Sequence, residues 1–108
     1  MFVILGTYES LGCWLETNTT DNPQIEGTAE MLDSPHKERS QAFYKCLQAA
    51  KSRGFATFSL YDSGYCLSYP DMLVNYRRRG PGKNCSGDGL GGNNTADLYR
   101  INQGNVVI

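Results

Sequence analysis

Residues 85 to 94, with the sequence CSGDGLGGNN, carry the pattern Gly87-x-Gly89-x-x-Gly92. In dinucleotide-binding proteins this pattern follows a strand and opens a helix, whose N-terminal N–H groups bind the pyrophosphate. Here it follows a cysteine, and the residues after it show no helical periodicity. We therefore interpret the glycines as a tight turn beside Cys85 rather than as a nucleotide site.

Oxygen-bearing side chains in and after this turn suggest a second chemistry, the binding of Ca²⁺. Carboxylate, amide and main-chain oxygens are the ligands that Ca²⁺ takes in proteins. The spacing differs from that of an EF-hand loop, so a solvated turn is the alternative interpretation. The candidate ligands are Asp88, Asn93, Asn94 and Asp97.

Three consecutive arginines, Arg77, Arg78 and Arg79, form a concentrated local positive charge, flanked by Tyr76 and Lys83. Guanidinium groups bind sulfate and carboxylate groups through paired hydrogen bonds. The segment is therefore a candidate site for a sulfated or carboxylated glycan. A short basic run is equally compatible with a solvated surface.

Aromatic side chains are the usual platform for stacking sugar rings, and the chain contains seven tyrosines. We expect Tyr65 and Tyr99 to pack in the core. The single tryptophan, Trp14, follows Cys13, so we expect it to pack on a disulfide. The tyrosines expected at the surface, near the arginines, are Tyr61, Tyr69 and Tyr76.

Catalysis has little support in the sequence. The only histidine, His36, adjoins the predicted start of a helix, and a Cys–His nucleophile requires a free thiol, which pairing of the cysteines removes. No spacing of acidic residues argues for a paired-carboxylate hydrolase. We predict a protein that is not an enzyme and has no cofactor, with calcium as the one candidate ion.

The four cysteines, Cys13, Cys46, Cys66 and Cys85, are widely spaced and contain no C-x-x-C pair. Two disulfides are therefore favoured over a zinc or thioredoxin-like site. Three N-x-S/T sequons are compatible with the same secretory compartment. They begin at Asn18, Asn84 and Asn93. Together these features predict an extracellular protein.

Ten basic and eleven acidic residues give a net charge of −1, so no overall field attracts nucleic acid or an anionic membrane. The apolar run MFVIL at residues 1 to 5 is too short for a signal peptide core or a membrane span. We interpret the chain as mature protein without membrane insertion. Its 108 residues predict a single domain, 1–108, whose small core needs further support.

The clearest predicted element is a helix over residues 35–53, with Ser34 as N-cap, Pro35 in the first turn and Gly54 as the left-handed stop. Its apolar residues recur at spacings of three and four. They are Ala42, Phe43, Cys46, Leu47, Ala49 and Ala50. The periodicity therefore puts Cys46 on the buried face.

The remaining elements are predicted to be extended. A strand at the apolar start precedes a second extended piece over LGCWLET. Residues 55–67 predict either two strands joined by a turn at 62–64 or one strand with a bulge. The short link through Gly54 brings the helix back across the sheet, so that Cys46 and Cys66 could meet. A single helical turn is expected before Gly80, and closing strands over ADLYRI and GNVVI.

Several segments, taken in order, resemble a cysteine-containing extracellular module found singly or in tandem in secreted and membrane-attached proteins of marine invertebrates. Two of the matching segments are the predicted helix that contains Arg39 and the run from Tyr76 to Gly80. The other matching segments are LGCW (11–14), IEG (25–27), MLD (31–33), YKC (44–46), GFATF (54–58), GYC (64–66), GLGG (89–92) and DLYRI (97–101). Departures lie at Ser63 and at residues 59–61.

The module is in turn similar to WSC and PAN-type domains, which place a cysteine-bearing helix over a sheet and are associated with carbohydrate or protein binding. The resemblance thus implies an extracellular binding function. We predict an α+β fold in which one helix packs on a small antiparallel sheet. The expected disulfides are Cys46–Cys66 and Cys13–Cys85, with other pairings open.

For function, the sequence favours a recognition module that binds an extracellular glycan or protein. The first alternative is a structural subunit that self-associates through its apolar ends, MFVIL and NVVI. A second alternative is a secreted toxin or inhibitor that acts on a protein target.

Overall fold

A computed structural model describes residues 7–16, 25, 32, 34–68 and 72–102. One helix of eleven residues packs on a four-stranded antiparallel sheet, which confirms the predicted α+β class. The elements in chain order are β1 (Thr7–Leu15), a 3-10 turn (His36–Glu38), α1 (Ala42–Ser52), β2 (Thr57–Tyr61), β3 (Tyr65–Leu67), α2 (Met72–Asn75) and β4 (Thr95–Asn102).

The strand order in the sheet is β1-β4-β2-β3. The final strand, β4, therefore lies between β1 and β2 and pairs with both of them. Residues 7–15 form one strand whose register shifts between Ser10 and Gly12, where a bulge interrupts the pairing. The closing strand predicted over ADLYRI is confirmed as β4, and the one predicted over GNVVI lies outside the described residues.

Side chains alternate between the two faces of the sheet, and each face carries its own apolar cluster. α1 covers the first face with Cys46, Leu47, Ala49 and Ala50. Its partners there include Phe58 and Leu60 of β2 and Tyr99 and Ile101 of β4. On the opposite face Met72 of α2 packs with Leu67, Ala96 and Leu98.

The predicted start of α1 is wrong, although its buried face and its end are confirmed. Pro35 is extended, residues 36–38 form the 3-10 turn, and Gln41 is left-handed immediately before Ala42. The cause is Arg39, which is buried and donates to the carbonyls of Leu32, Ser34 and Gly64. These bonds hold the segment against the β2–β3 turn.

The two predicted disulfides are confirmed. Cys46 and Cys66 join α1 to β3, and both are fully buried. Cys13 and Cys85 join β1 to the glycine turn. The described chain contains no free cysteine.

Some sequence predictions fall outside the described residues: Tyr69, Asn18, and the apolar ends at 1–5 and 105–108. Among the described helices none has the length and apolar character needed to cross a membrane.

Candidate functional site

One row of side chains crosses all four strands on the face opposite α1. Trp14 of β1 lies opposite Ala96 of β4, and Ala96 lies opposite Tyr61 of β2. Tyr61 in turn lies opposite Tyr65 of β3. Directly opposed residues project from the same face, so three aromatic side chains share it. Because neighbouring strands are about 4.8 Å apart, the row is about 14 Å long.

A fourth aromatic side chain joins the row from the segment after α2. The ring of Tyr76 meets that of Trp14 edge-on, with the ring centroids 5.2 Å apart. All four rings are half-buried and pack against the apolar cluster of this face. Each ring is therefore held in place and still has part of its surface in contact with solvent. We call Trp14, Tyr61, Tyr65 and Tyr76 the aromatic platform.

The three arginines lie at the Tyr76 end of the platform, and each has a different partner. The Arg77 guanidinium is 5.4 Å from the Tyr76 ring centroid, and its Nε donates to the Tyr76 hydroxyl at 3.2 Å. Arg78 donates to Asn75 Oδ1 at 2.9 Å. Arg79 forms an ion pair with Glu16 at 2.8 Å.

The opposite end of the platform is polar. The His36 ring meets Tyr65 edge-on at 5.3 Å, and His36 Nε2 lies 3.2 Å from Asp62 Oδ2. Lys37 Nζ is 3.6 Å from the second oxygen of the same carboxylate. Hydrogen-bonding groups thus flank the aromatic rings at both ends.

The structure brings together most of the residues that were predicted to bind a ligand. Tyr61 and Tyr76 belong to the platform, and the arginines border it. Two expectations were wrong: Tyr65 is half-exposed rather than buried, and the Trp14 ring packs on Tyr76. The sequence signal that could have placed Trp14 away from the disulfide is the period-two alternation of a strand, since Cys13 and Trp14 must point to opposite faces of β1.

The glycine turn is held by side chains of β4. Gly91 N–H donates to Asp97 Oδ2 at 2.9 Å, and the Tyr99 hydroxyl donates to the Gly89 carbonyl at 2.9 Å. Asp88 Oδ1 accepts from Ser86 Oγ and from Leu90 N–H, both at 3.0 Å. The turn leads into β4, so it lacks the following helix that a dinucleotide site uses.

The candidate calcium ligands lie in and beside this turn. Asp88 and Asp97 both use a carboxylate oxygen in hydrogen bonds within it, and Asn93 and Asn94 are exposed. Over the described ranges, one group of three potential metal ligands is close together: Cys13, Cys85 and Asp97, within 4.8 Å of one another. Both sulfurs are joined in the disulfide, so they are not available as thiolate ligands.

Comparison with known proteins gives no relative: no family model matches the chain, and no curated protein or solved structure matches it. The functional assignment therefore depends on the geometry of the chain itself.

The two described sequons lie beside each other at this end of the sheet. Asn84 and Asn93 are both exposed, and Asn84 Nδ2 donates to the Asn93 carbonyl at 3.4 Å. Asn94 Oδ1 is 3.5 Å from the Tyr61 hydroxyl, which connects the sequon segment to the platform.

Tyr99 provides a pH-dependent test of the glycine turn. Burial, followed by the charges of Asp97, Tyr8 and Asp88, raises the pKa of Tyr99 to about 12 from the ordinary value of 10.0. A pKa that is higher in the folded than in the unfolded chain stabilises the fold below pH 10. That contribution is lost as the pH rises from 10 through about 12.

We therefore expect the ultraviolet titration of tyrosinate to contain one late component, near pH 12, that is missing from Tyr99→Phe. The difference in free energy of unfolding between the parent protein and Tyr99→Phe should be constant below pH 10. Above pH 10 the parent protein should lose stability relative to the variant, because Tyr99 ionises more readily in the unfolded chain. Identical titration curves for the two proteins would contradict this assignment.

Proposed function

We propose that this protein is an extracellular recognition module that binds an oligosaccharide on the aromatic platform. The observation that carries the proposal is the in-register row of Trp14, Tyr61 and Tyr65, extended by Tyr76. Apolar faces of sugar rings stack on aromatic side chains, and a row about 14 Å long favours several sugar units over one. The polar groups at its two ends are suited to bind hydroxyl groups.

The arrangement of these rings favours binding over a purely structural role. Aromatic side chains that serve only the core are covered, as Phe58 and Tyr99 are on the face beneath α1. The platform rings are instead half-exposed and share one surface. Their positions are set by strand pairing, so a ligand would meet a preorganised site with little ordering cost.

An extracellular location is part of the proposal. Both disulfides are compatible with an oxidising compartment. The sequence resemblance to extracellular modules that include WSC and PAN-type domains favours the same compartment and a binding role.

A pair of tyrosine substitutions tests the platform. Tyr65→Ala is expected to weaken binding of the preferred oligosaccharide about tenfold, which corresponds to the loss of about 1.4 kcal/mol of ring contact. Tyr44→Ala is the matched control, because Tyr44 is 60% exposed on α1, which covers the other face of the sheet. Binding is measured by calorimetry after a glycan array has identified the ligand.

Both variants should retain the far-ultraviolet circular dichroism of the parent protein. Equal weakening by the two substitutions would place the binding site elsewhere. A glycan array without any hit, from correctly oxidised protein, would refute oligosaccharide binding altogether.

A further inference from the structure

Of the three arginines beside the platform, one has a structural role, and the other two have positive charges that are available to a ligand. Arg79 is neutralised by Glu16, whose side chain is only 15% exposed, so this pair fixes the arginine segment to the end of β1. Arg77 and Arg78 are exposed, and neither forms an ion pair within the described part of the chain. Two positive charges therefore remain at the Tyr76 end of the platform.

These charges are presented from a well-supported segment of backbone. Leu15 N–H donates to the Gly80 carbonyl, and Gly82 N–H donates to the Cys13 carbonyl, both at 3.0 Å. Gly80 N–H closes a turn on the Arg77 carbonyl at 3.1 Å. The segment thus adds to the outer edge of β1 on both sides of Trp14, and the guanidinium groups keep a defined position relative to the platform.

Arg77 is already oriented by the platform itself. Its guanidinium group lies over the Tyr76 ring and donates from Nε to the hydroxyl of the same residue. That arrangement leaves its two terminal nitrogens, Nη1 and Nη2, to bind a planar or tetrahedral anion. An anion bound there would lie directly beside a sugar ring stacked on Tyr76 or Trp14.

We infer that the ligand of the aromatic platform is an anionic oligosaccharide, whose sulfate or carboxylate groups are bound by Arg77 and Arg78. The inference rests on the proposed function and specifies its ligand class. Charge complementarity carries it: the chain has a net charge of −1, yet the border of the platform holds two arginines that no acidic residue of the described ranges neutralises. Binding should therefore weaken as the salt concentration rises.

Three hexasaccharide probes distinguish the contribution of charge from that of the sugar rings. The first is a heparin-derived hexasaccharide, which carries sulfates and uronate carboxylates, and the second is its fully desulfated and N-acetylated counterpart, which keeps only the carboxylates. The third is fully N-acetylated chitohexaose, which is neutral and is called chitohexaose below. We expect the heparin-derived probe, its desulfated counterpart or both to bind tightly. Chitohexaose should bind at least tenfold more weakly. Arg77→Ala combined with Arg78→Ala should reduce binding of the favoured anionic probe at least tenfold. The double variant should reduce binding of chitohexaose by a smaller factor than binding of the anionic probe.

Lys51→Ala is the control for a general loss of positive charge, because Lys51 is exposed on α1, on the other side of the sheet. It should reduce binding of the anionic probe by less than twofold.

The outcomes distinguish this inference from the proposal on which it rests. Chitohexaose that binds as tightly as the anionic probes would overturn the anionic ligand and leave the platform intact. Failure of every probe to bind would refute both. An effect of Lys51→Ala equal to that of the arginine variant would show that attraction is unspecific and would overturn the assignment to Arg77 and Arg78.

Discussion

Replacing both Cys13 and Cys85 with alanine is expected to lower the free energy of unfolding by about 4 kcal/mol. The two residues are 72 positions apart, so the bridge closes a long loop and lowers the conformational entropy of the unfolded chain by about that amount. Domains of this size have a total stability of about 5–15 kcal/mol, and the variant would therefore keep only a fraction of it. Urea unfolding, followed by far-ultraviolet circular dichroism, measures the loss.

The second bridge provides the comparison. Cys46 and Cys66 are 20 positions apart, and the same chain-entropy relation gives about 3 kcal/mol for their loss. Both of these residues are fully buried, so replacing them also leaves a void beneath α1. A loss below about 1 kcal/mol for the Cys13–Cys85 variant would contradict the stabilising role assigned to that bridge.

Gly91→Ala is expected to destabilise the protein by about 3 kcal/mol. Gly91 has a φ of +80°, which disfavours any residue with a Cβ atom. A Cβ at this position would overlap with the Leu60 carbonyl oxygen and come within 2.8 Å of Tyr61 Cα. Because both neighbours are backbone atoms of a central strand, the turn itself would have to move away.

Gly87→Ala isolates the conformational part of this effect. Gly87 has a φ of +90°, and apart from its two chain neighbours no described residue has an atom within 4 Å of a Cβ placed there. Its replacement should cost about 1 kcal/mol. Equal unfolding free energies for the two variants would show that close packing of Gly91 on β2 is unimportant.

The difference between these two glycines also clarifies the pattern Gly87-x-Gly89-x-x-Gly92. In the sequence the glycines satisfy a nucleotide-binding spacing and are equivalent to one another. In the fold Gly91, which the pattern does not require, packs closely on the backbone at the end of β2, and Gly92, which the pattern does require, packs closely on the Asn84 carbonyl. The glycines serve the packing of a turn that precedes a strand.

The start of α1 illustrates where local signals were insufficient. Ser34 and Pro35 have the residue types of a helix start, yet the helix begins at Ala42. Burial of Arg39, with hydrogen bonds to the Leu32 and Ser34 carbonyls of its own segment and to the Gly64 carbonyl of the β2–β3 turn, outweighs the capping preference. Local preferences contribute about 1 kcal/mol, which several buried hydrogen bonds to a charged group readily exceed.

Features that depend only on neighbouring residues could be predicted from the amino-acid sequence. The buried face of α1 follows from the spacing of its apolar residues, its end from Gly54, and the β2–β3 turn from residues 62–64. Helix periodicity and left-handed glycine conformations are properties of a few consecutive residues, so they can be predicted without knowledge of the fold.

The alignment of the aromatic residues on one surface depends instead on the pairing of strands in the folded sheet. Trp14, Tyr61 and Tyr65 are aligned because β4 enters the sheet between β1 and β2 and sets their register through Ala96. A shift of one residue in that pairing would send every side chain of a strand to the other face. Register depends on contacts between distant segments, and this is why the arginines, Tyr61 and Tyr76 could be proposed from the sequence, whereas the alignment of Trp14 and Tyr65 with them could not.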